Sequence, residues 1–226
     1  MPIPRVPEPE VMDNMAESIA YDLMDFREVN QAFVDRAIAL NITAGKILDV
    51  GTGTARIPIL LAEELLGRNK TDFHITAIDL AQTMLQIGQQ HLLTAGLENY
   101  ISLQLVDAKR MPYPDHSFDN IISNSIVHHL SQPELFFQEL SRLIKPQSGI
   151  LIRDLLRPKD EQELTYLVQT YAGDCDAEQQ KLFRDSLCAS YTLAEVKNFF
   201  ATTDIQGLKI YQSSDRHWTA ERECLM

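Results

Sequence analysis

The chain has 226 residues, 45% of them apolar, which is enough to build one buried core without requiring a second domain. Its formal net charge of −12 repels phosphate backbones and no dense Lys/Arg block offsets it, so broad nucleic-acid binding is disfavoured and a small-molecule partner is expected. No run approaches the roughly eighteen apolar residues of a membrane span, and the Pro-rich arm 1–9 lacks a signal-type apolar stretch, so a cytoplasmic protein without membrane insertion is expected.

In chain order, apolar residues at Phe26, Val29, Phe33, Ala37 and Leu40 fall on one helical face and predict a helix ahead of the first strand. Lys46 to Val50 reads as a strand ending in Gly51-Thr52-Gly53, followed by a helix from Arg56 to Leu66. Phe73 to Asp79 alternates and is β-branched at Ile75, Thr76 and Ile78, and a helix follows from Thr83 to Leu93, ending near Gly96. Ile101 to Val106 and Phe118 to Asn124 are the next two strands, joined by the turn-rich Met111-Pro112-Tyr113-Pro114-Asp115. Ser131 and Glu134 have capping-box spacing for a helix through Ile144, which Pro146 and Gly149 should end, and Gly149 to Arg153 is a fifth strand.

Strands alternating with helices at this pace predict a parallel sheet covered on both faces. The tail departs from that rhythm. Asp160 to Ala189 is helical, Thr192 and Glu195 form a second capping box, and Leu208 to Tyr211 with His217 to Ala220 suggest a hairpin. The expected organisation is a single unit, with an N-terminal helical arm (1–44), a ligand-binding core (45–158), and C-terminal helices and hairpin (159–226).

Gly51 and Gly53 lie between a strand and a helix, where open α/β sheets bind ligands, although a plain turn would also use glycine there. Asp79 ends the second strand, at the place of a ribose-binding carboxylate, with a helix N-cap as the alternative. Asp107 ends the third strand and could accept from an exocyclic adenine amine, or be an exposed turn residue. A pyrophosphate-binding G-x-G-x-x-G/A needs a small residue where Arg56 stands, so NAD and FAD are disfavoured, and no P-loop is present. Cys175, Cys188 and Cys224 show no CxxC spacing, which argues against a disulfide framework or a structural zinc site, and no metal site is expected.

The stretch Ile47-Leu48-Asp49-Val50-Gly51-Thr52-Gly53-Thr54-Ala55 resembles the first motif of class I S-adenosylmethionine-dependent methyltransferases, with Ala55 at the third glycine position. Asp79 to Leu85 is similar to the second segment of that family, with Ala81 where serine is common. Val106-Asp107-Ala108 and Met111 to Asp119 resemble the next two. Leu143 to Asp154 looks like its closing strand motif, with Gln147-Ser148 replacing one of two glycines. The likeness runs from about Gly45 to Pro158 and is nearest to the ubiquinone/menaquinone C-methyltransferase-like group.

The resemblance implies a Rossmann-like α/β sheet, mostly parallel with a C-terminal antiparallel strand, helices on both faces, and S-adenosyl-L-methionine as cofactor. It implies that Asp49, Gly51 and Gly53 meet the methionine moiety and Asp79 the ribose. By the same likeness, Leu80 and Met84 flank adenine, Asp107 and Ala108 meet the adenine amine, and Asn124 and Ser125 line the sulfonium end. Displacement at a sulfonium needs alignment more than proton transfer, yet His128 or His129 could serve as base, the alternative being a polar residue satisfying loop backbone. Tyr21, Arg153, Asp154 and Trp218 are further pocket candidates. A non-catalytic cofactor-binding protein is the second functional class left open, and an NAD-dependent oxidoreductase is the third.

Overall fold

The computed structural model describes residues 3–9, 11 and 13–225, so Met1, Pro2, Glu10 and Met12 of the expected arm lie outside it. Among the described residues, seven strands form one sheet: β1 (Gly45–Val50), β2 (Phe73–Asp79), β3 (Ile101–Leu105), β4 (Phe118–Asn124), β5 (Ile144–Leu155), β6 (Lys209–Gln212) and β7 (His217–Arg222). Their order is β3-β2-β1-β4-β5-β7-β6. The first five pair in parallel, and β7 runs antiparallel to both β5 and β6. The sheet is mostly parallel with an antiparallel C-terminal strand, as the sequence predicts.

The helices are α1 (Met15–Asp22), α2 (Arg27–Ala39), α3 (Arg56–Gly67), α4 (Gln82–Ala95), α5 (Pro133–Leu143), α6 (Glu161–Ala172), α7 (Ala177–Ala189) and α8 (Leu193–Ala201). Period-two alternation sends the strand residues to two separate cores. Leu48, Val50, Ile121, Ile150 and Ile152 join Phe136, Phe137, Phe200 and Trp218 on one face. Ile47, Ile75, Ala77, Ile122 and Leu151 join Phe33, Val34, Leu61 and Leu65 on the other. The amphipathic face read at Phe33 and Ala37 is therefore core, packed with α3 on the sheet.

The Thr192–Glu195 capping box forms as expected, with both reciprocal bonds present. The Ser131–Glu134 box does not. Helix α5 starts at Pro133 after Gln132, because a proline whose φ is already helical and which has no N–H to satisfy is best placed at the first helical position. Nor does Pro146 mark a break between helix and strand. Strand β5 already begins at Ile144, runs through the proline, and absorbs the irregularity as a register shift between Phe118↔Ile144 and Asn120↔Gly149. The long tail helix divides into α6 and α7, the second capped by Asp176. A further helix, α1, was not anticipated.

Candidate functional site

The carboxyl ends of β1, β2 and β4 open onto one cavity, lined by Gly51, Gly53, Asp79, Leu80, Met84, Asp107, Ala108, Asn124 and Ser125. Nine of the ten residues expected to hold a cofactor thus meet at one place. The tenth, Asp49, lies beneath the glycine turn at 2% exposure, and its Oδ2 is buried without a hydrogen-bond partner. Burial pushes its carboxyl up to about 7.

The turn has a backbone reason for its glycines. Gly51 has φ +76° and Gly53 φ +54°, both in the left-handed region. A Cβ on Gly51 would stand 2.7 Å from Ile126, so that position is closed by packing. A Cβ on Gly53 would meet nothing nearer than Tyr21 Cε1 at 4.0 Å, so the absent side chain leaves room at the cavity wall.

Asp79 ties the turn to the second strand. Its Oδ2 accepts from the Gly53 amide at 2.8 Å and its Oδ1 from the Ala81 amide at 2.9 Å. Burial raises its pKa against those backbone donors. Asp79 is not the N-cap of α4: Ala81 holds that position without a side-chain cap bond, and Asp79 accepts from the amide of Ala81. Asp107 accepts from the Lys109 amide at 2.9 Å and pairs with the Lys109 ammonium at 3.1 Å. Asn124 accepts from Arg153 Nε at 3.0 Å, and Ser125 has φ +60°.

The N-terminal segment closes this cavity from above. Asp13 accepts from the backbone and hydroxyl of Thr83 on α4, and Ser18 Oγ lies 2.8 Å from Thr83 Oγ1. Arg56 Nε donates to Asp22 Oδ1 at 3.0 Å, while its other nitrogens reach the carbonyls of Asp22 and Met24. His91 Nε2 meets Asp22 Oδ2 at 3.2 Å. Thus held, Val11, Tyr21, Phe26 and Asn30 line the cavity. Arg56 gave no hint of this role in the sequence except by being too large for a dinucleotide turn.

The two histidines part company. His128 and His129 form a 3₁₀ turn after β4 with their rings 4.1 Å apart, yet only His129 lines the cavity. His128 is 4% exposed and donates from Nδ1 to Asp154 Oδ1 at 2.6 Å, and Asp154 also accepts from the Val127 and Leu155 amides. Burial opposes both charges, but their mutual attraction holds the His128 pKa above and the Asp154 pKa below the ordinary values. Burial and the neighbouring His128 charge push His129 down to about 3, so it is a neutral imidazole. Of the further candidates, Tyr21 lines the cavity, Trp218 is fully buried in the core, and Arg153 reaches the Val29 carbonyl and stacks over Phe33.

Residues 43–215 match the family model Methyltransf_31, described as a methyltransferase domain. The chain is 25% identical over 211 residues to the methyltransferase GfsG of Streptomyces halstedii, covering 92% of this chain and 66% of that protein. It is 27% identical over 115 residues to a ubiquinone/menaquinone biosynthesis C-methyltransferase of Geotalea daltonii, covering 51% of this chain and 47% of that one. The chain therefore spans about half to two thirds of the length of these curated relatives. A SAM-dependent methyltransferase of Aquifex aeolicus shares the fold at a TM-score of 0.67 and 17% identity, over 94% of this chain and 99% of that one. The quinone-directed likeness covers the shorter stretch, and the finer subgroup does not follow from it. With the glycine turn, the acidic strand ends and the matched span in agreement, the chain belongs to the methyltransferase-domain family.

Proposed function

We propose that this protein transfers a methyl group from S-adenosylmethionine to a small-molecule acceptor. The observation that carries the reading is the Asp79 carboxylate, fixed by the Gly53 and Ala81 amides at the wall of a cavity under a covering N-terminal segment. A carboxylate has about four acceptor positions, and the two backbone bonds leave capacity for ribose hydroxyls. The unpartnered Asp49 Oδ2 and the room beside Gly53 fit a ligand with a cationic end lying across the turn. S-adenosylmethionine has that shape and charge. Met84 and Leu80 would flank its adenine, Asp107 and Ala108 would meet the adenine amine, and Asn124 and Ser125 would face the sulfonium.

The bound cofactor supplies an activated methyl group; the chain aligns the acceptor with it and excludes water. Tyr21, Phe26 and His129 line the cavity and are the residues this reading assigns to the acceptor. His129, neutral and weakly basic, is suited to hydrogen-bonding an acceptor, and His128 acts as a positioning residue through its bond to Asp154. The covering segment and the net charge of −12 favour a small acceptor over a nucleic acid.

Calorimetry with Asp79→Asn tests the cofactor assignment. The amide keeps one acceptor oxygen for the turn and loses the second backbone bond together with the charge-assisted bonds to ribose, worth about 1.5–3 kcal/mol each, so affinity should fall at least about tenfold, with a thermal melt to show that the turn still folds. Unchanged affinity overturns the assignment. Release of S-adenosylhomocysteine with a metabolite library separates an enzyme from a binding protein.

A further inference from the structure

We propose that Glu8, His128 and His129 form a binding site for a divalent transition-metal ion, of the zinc class, at the part of the cavity wall formed by His129. The three residues each offer one ligand atom, and these atoms all lie within 4.8 Å of one another. Tetrahedral zinc with bonds of about 2.0–2.2 Å to nitrogen and oxygen holds such atoms about 3.4 Å apart, so side-chain rotations that draw the three atoms together by up to roughly an ångström and a half complete the set. Two imidazoles and one carboxylate suit zinc or ferrous ions, and three protein ligands leave a coordination position open.

The candidate ligands are held by partners in the way metal ligands usually are. Asp154 accepts from His128 Nδ1 at 2.6 Å, which fixes the tautomer and leaves Nε2 for an ion. Ser186 donates to both Glu8 oxygens, at 3.0 and 3.3 Å, and Glu8 Oε2 lies 3.2 Å from His129 Nδ1. The arm carrying Glu8 is itself anchored, through Arg5 Nε to the Ala189 carbonyl at 2.7 Å and the Val6 amide to the Cys188 carbonyl at 3.1 Å. The nearby Arg5 guanidinium also donates to the His128 and Leu130 carbonyls and stacks on Tyr191.

Of the three ligands His129 lines the cavity, so an open position on that side of the ion would take water or an oxygen of the acceptor. That last assignment rests on the proposed methyl transfer; ion binding itself does not.

The test is zinc titration of the chelator-treated full chain against a chromophoric competitor. Wild-type protein should bind one zinc ion per chain. Glu8→Gln and His129→Asn should each weaken binding at least tenfold, and a Cys175→Ser/Cys188→Ser double variant should not. Wild-type protein that binds no zinc at micromolar concentration overturns the proposal. So does zinc bound by Glu8→Gln as tightly as by wild type, or lost only in the cysteine variant. S-adenosylmethionine affinity, measured on the same zinc-free samples, keeps the two readings apart. Glu8→Gln should leave it unchanged, and its absence from protein that binds zinc would count against methyl transfer alone.

Discussion

Arg56 Nε sits 3.0 Å from Asp22 Oδ1, joining the first turn of the helix after the glycine motif to the last residue of the helix that covers the cavity. Burial opposes the Asp22 charge, but hydrogen bonds from Thr54 and Arg56 outweigh it and lower the pKa. The residue too large for a dinucleotide turn thus serves as the hinge pin of a cover.

Breaking that pair should free the cover without unfolding the sheet. Arg56→Ala should expose the segment before Met24 to limited proteolysis and weaken cofactor binding at least about tenfold, the factor that corresponds to about 1.5 kcal/mol, the lower limit for one charge-assisted hydrogen bond. Deleting residues 1–24 should give folded protein, since Phe33, Val34 and Ala37 remain on the core. Its acceptor turnover should fall more than its cofactor affinity. A melting temperature that collapses with the deletion would make the segment a core element.

Asp49 should give the apo protein an inverse pH dependence. Burial raises its carboxyl to about 7 in the fold from the ordinary carboxylate range of about 4, so between those values the folded chain holds a proton that the unfolded chain has lost. This group's contribution to stability therefore declines as pH rises from about 4 through about 7, and levels off above it. Asp49→Asn should remove that slope and raise stability at pH 8 by at least about 1 kcal/mol, one pKa unit being about 1.4 kcal/mol. It should also weaken cofactor binding. Urea denaturation at pH 5 and pH 8 reads the first effect, and identical slopes in both proteins would refute it.

The two glycines of the turn should fail differently. Gly51→Ala puts a methyl group 2.7 Å from Ile126 at φ +76°, so it carries a steric clash in addition to the left-handed cost of about 1–2 kcal/mol, and the melting temperature should fall clearly. Gly53→Ala carries only the conformational cost, but its methyl group intrudes on the cavity near Tyr21. It should lose affinity out of proportion to stability. Calorimetry beside thermal melts distinguishes them, and equal profiles would mean the turn is not a binding element.

Asp154→Asn should be among the most destabilising single changes near the site. It removes the charge facing a fully buried imidazole, and breaking such a pair costs about 3–5 kcal/mol. His129→Ala, which leaves the Asp154–His128 pair intact, should cost far less in equilibrium denaturation. A mild Asp154→Asn would mean that His128 is not held as a charged partner.

The sequence by itself determined the sheet and most of the cavity wall. Hydrophobic period fixes strand and helix, and a βα alternation places every strand's carboxyl end at one edge, so Gly51, Asp79, Asp107 and Asn124 had to converge. Local signals failed where two of them competed. Ser131 and Pro133 both mark helix starts and the proline prevailed, and Pro146 stayed inside a strand whose bulge could accept it. Only the tertiary structure decided which contacts hold the cover over the cavity and which histidine faces it. Asp13, Asp22 and Glu8 carry no motif, and their partners Thr83, Arg56 and His129 stand 70, 34 and 121 positions along the chain. Contacts across such separations leave no periodicity to read, because they are set by how the arm folds back over the sheet and by the reach of each side chain once it is there.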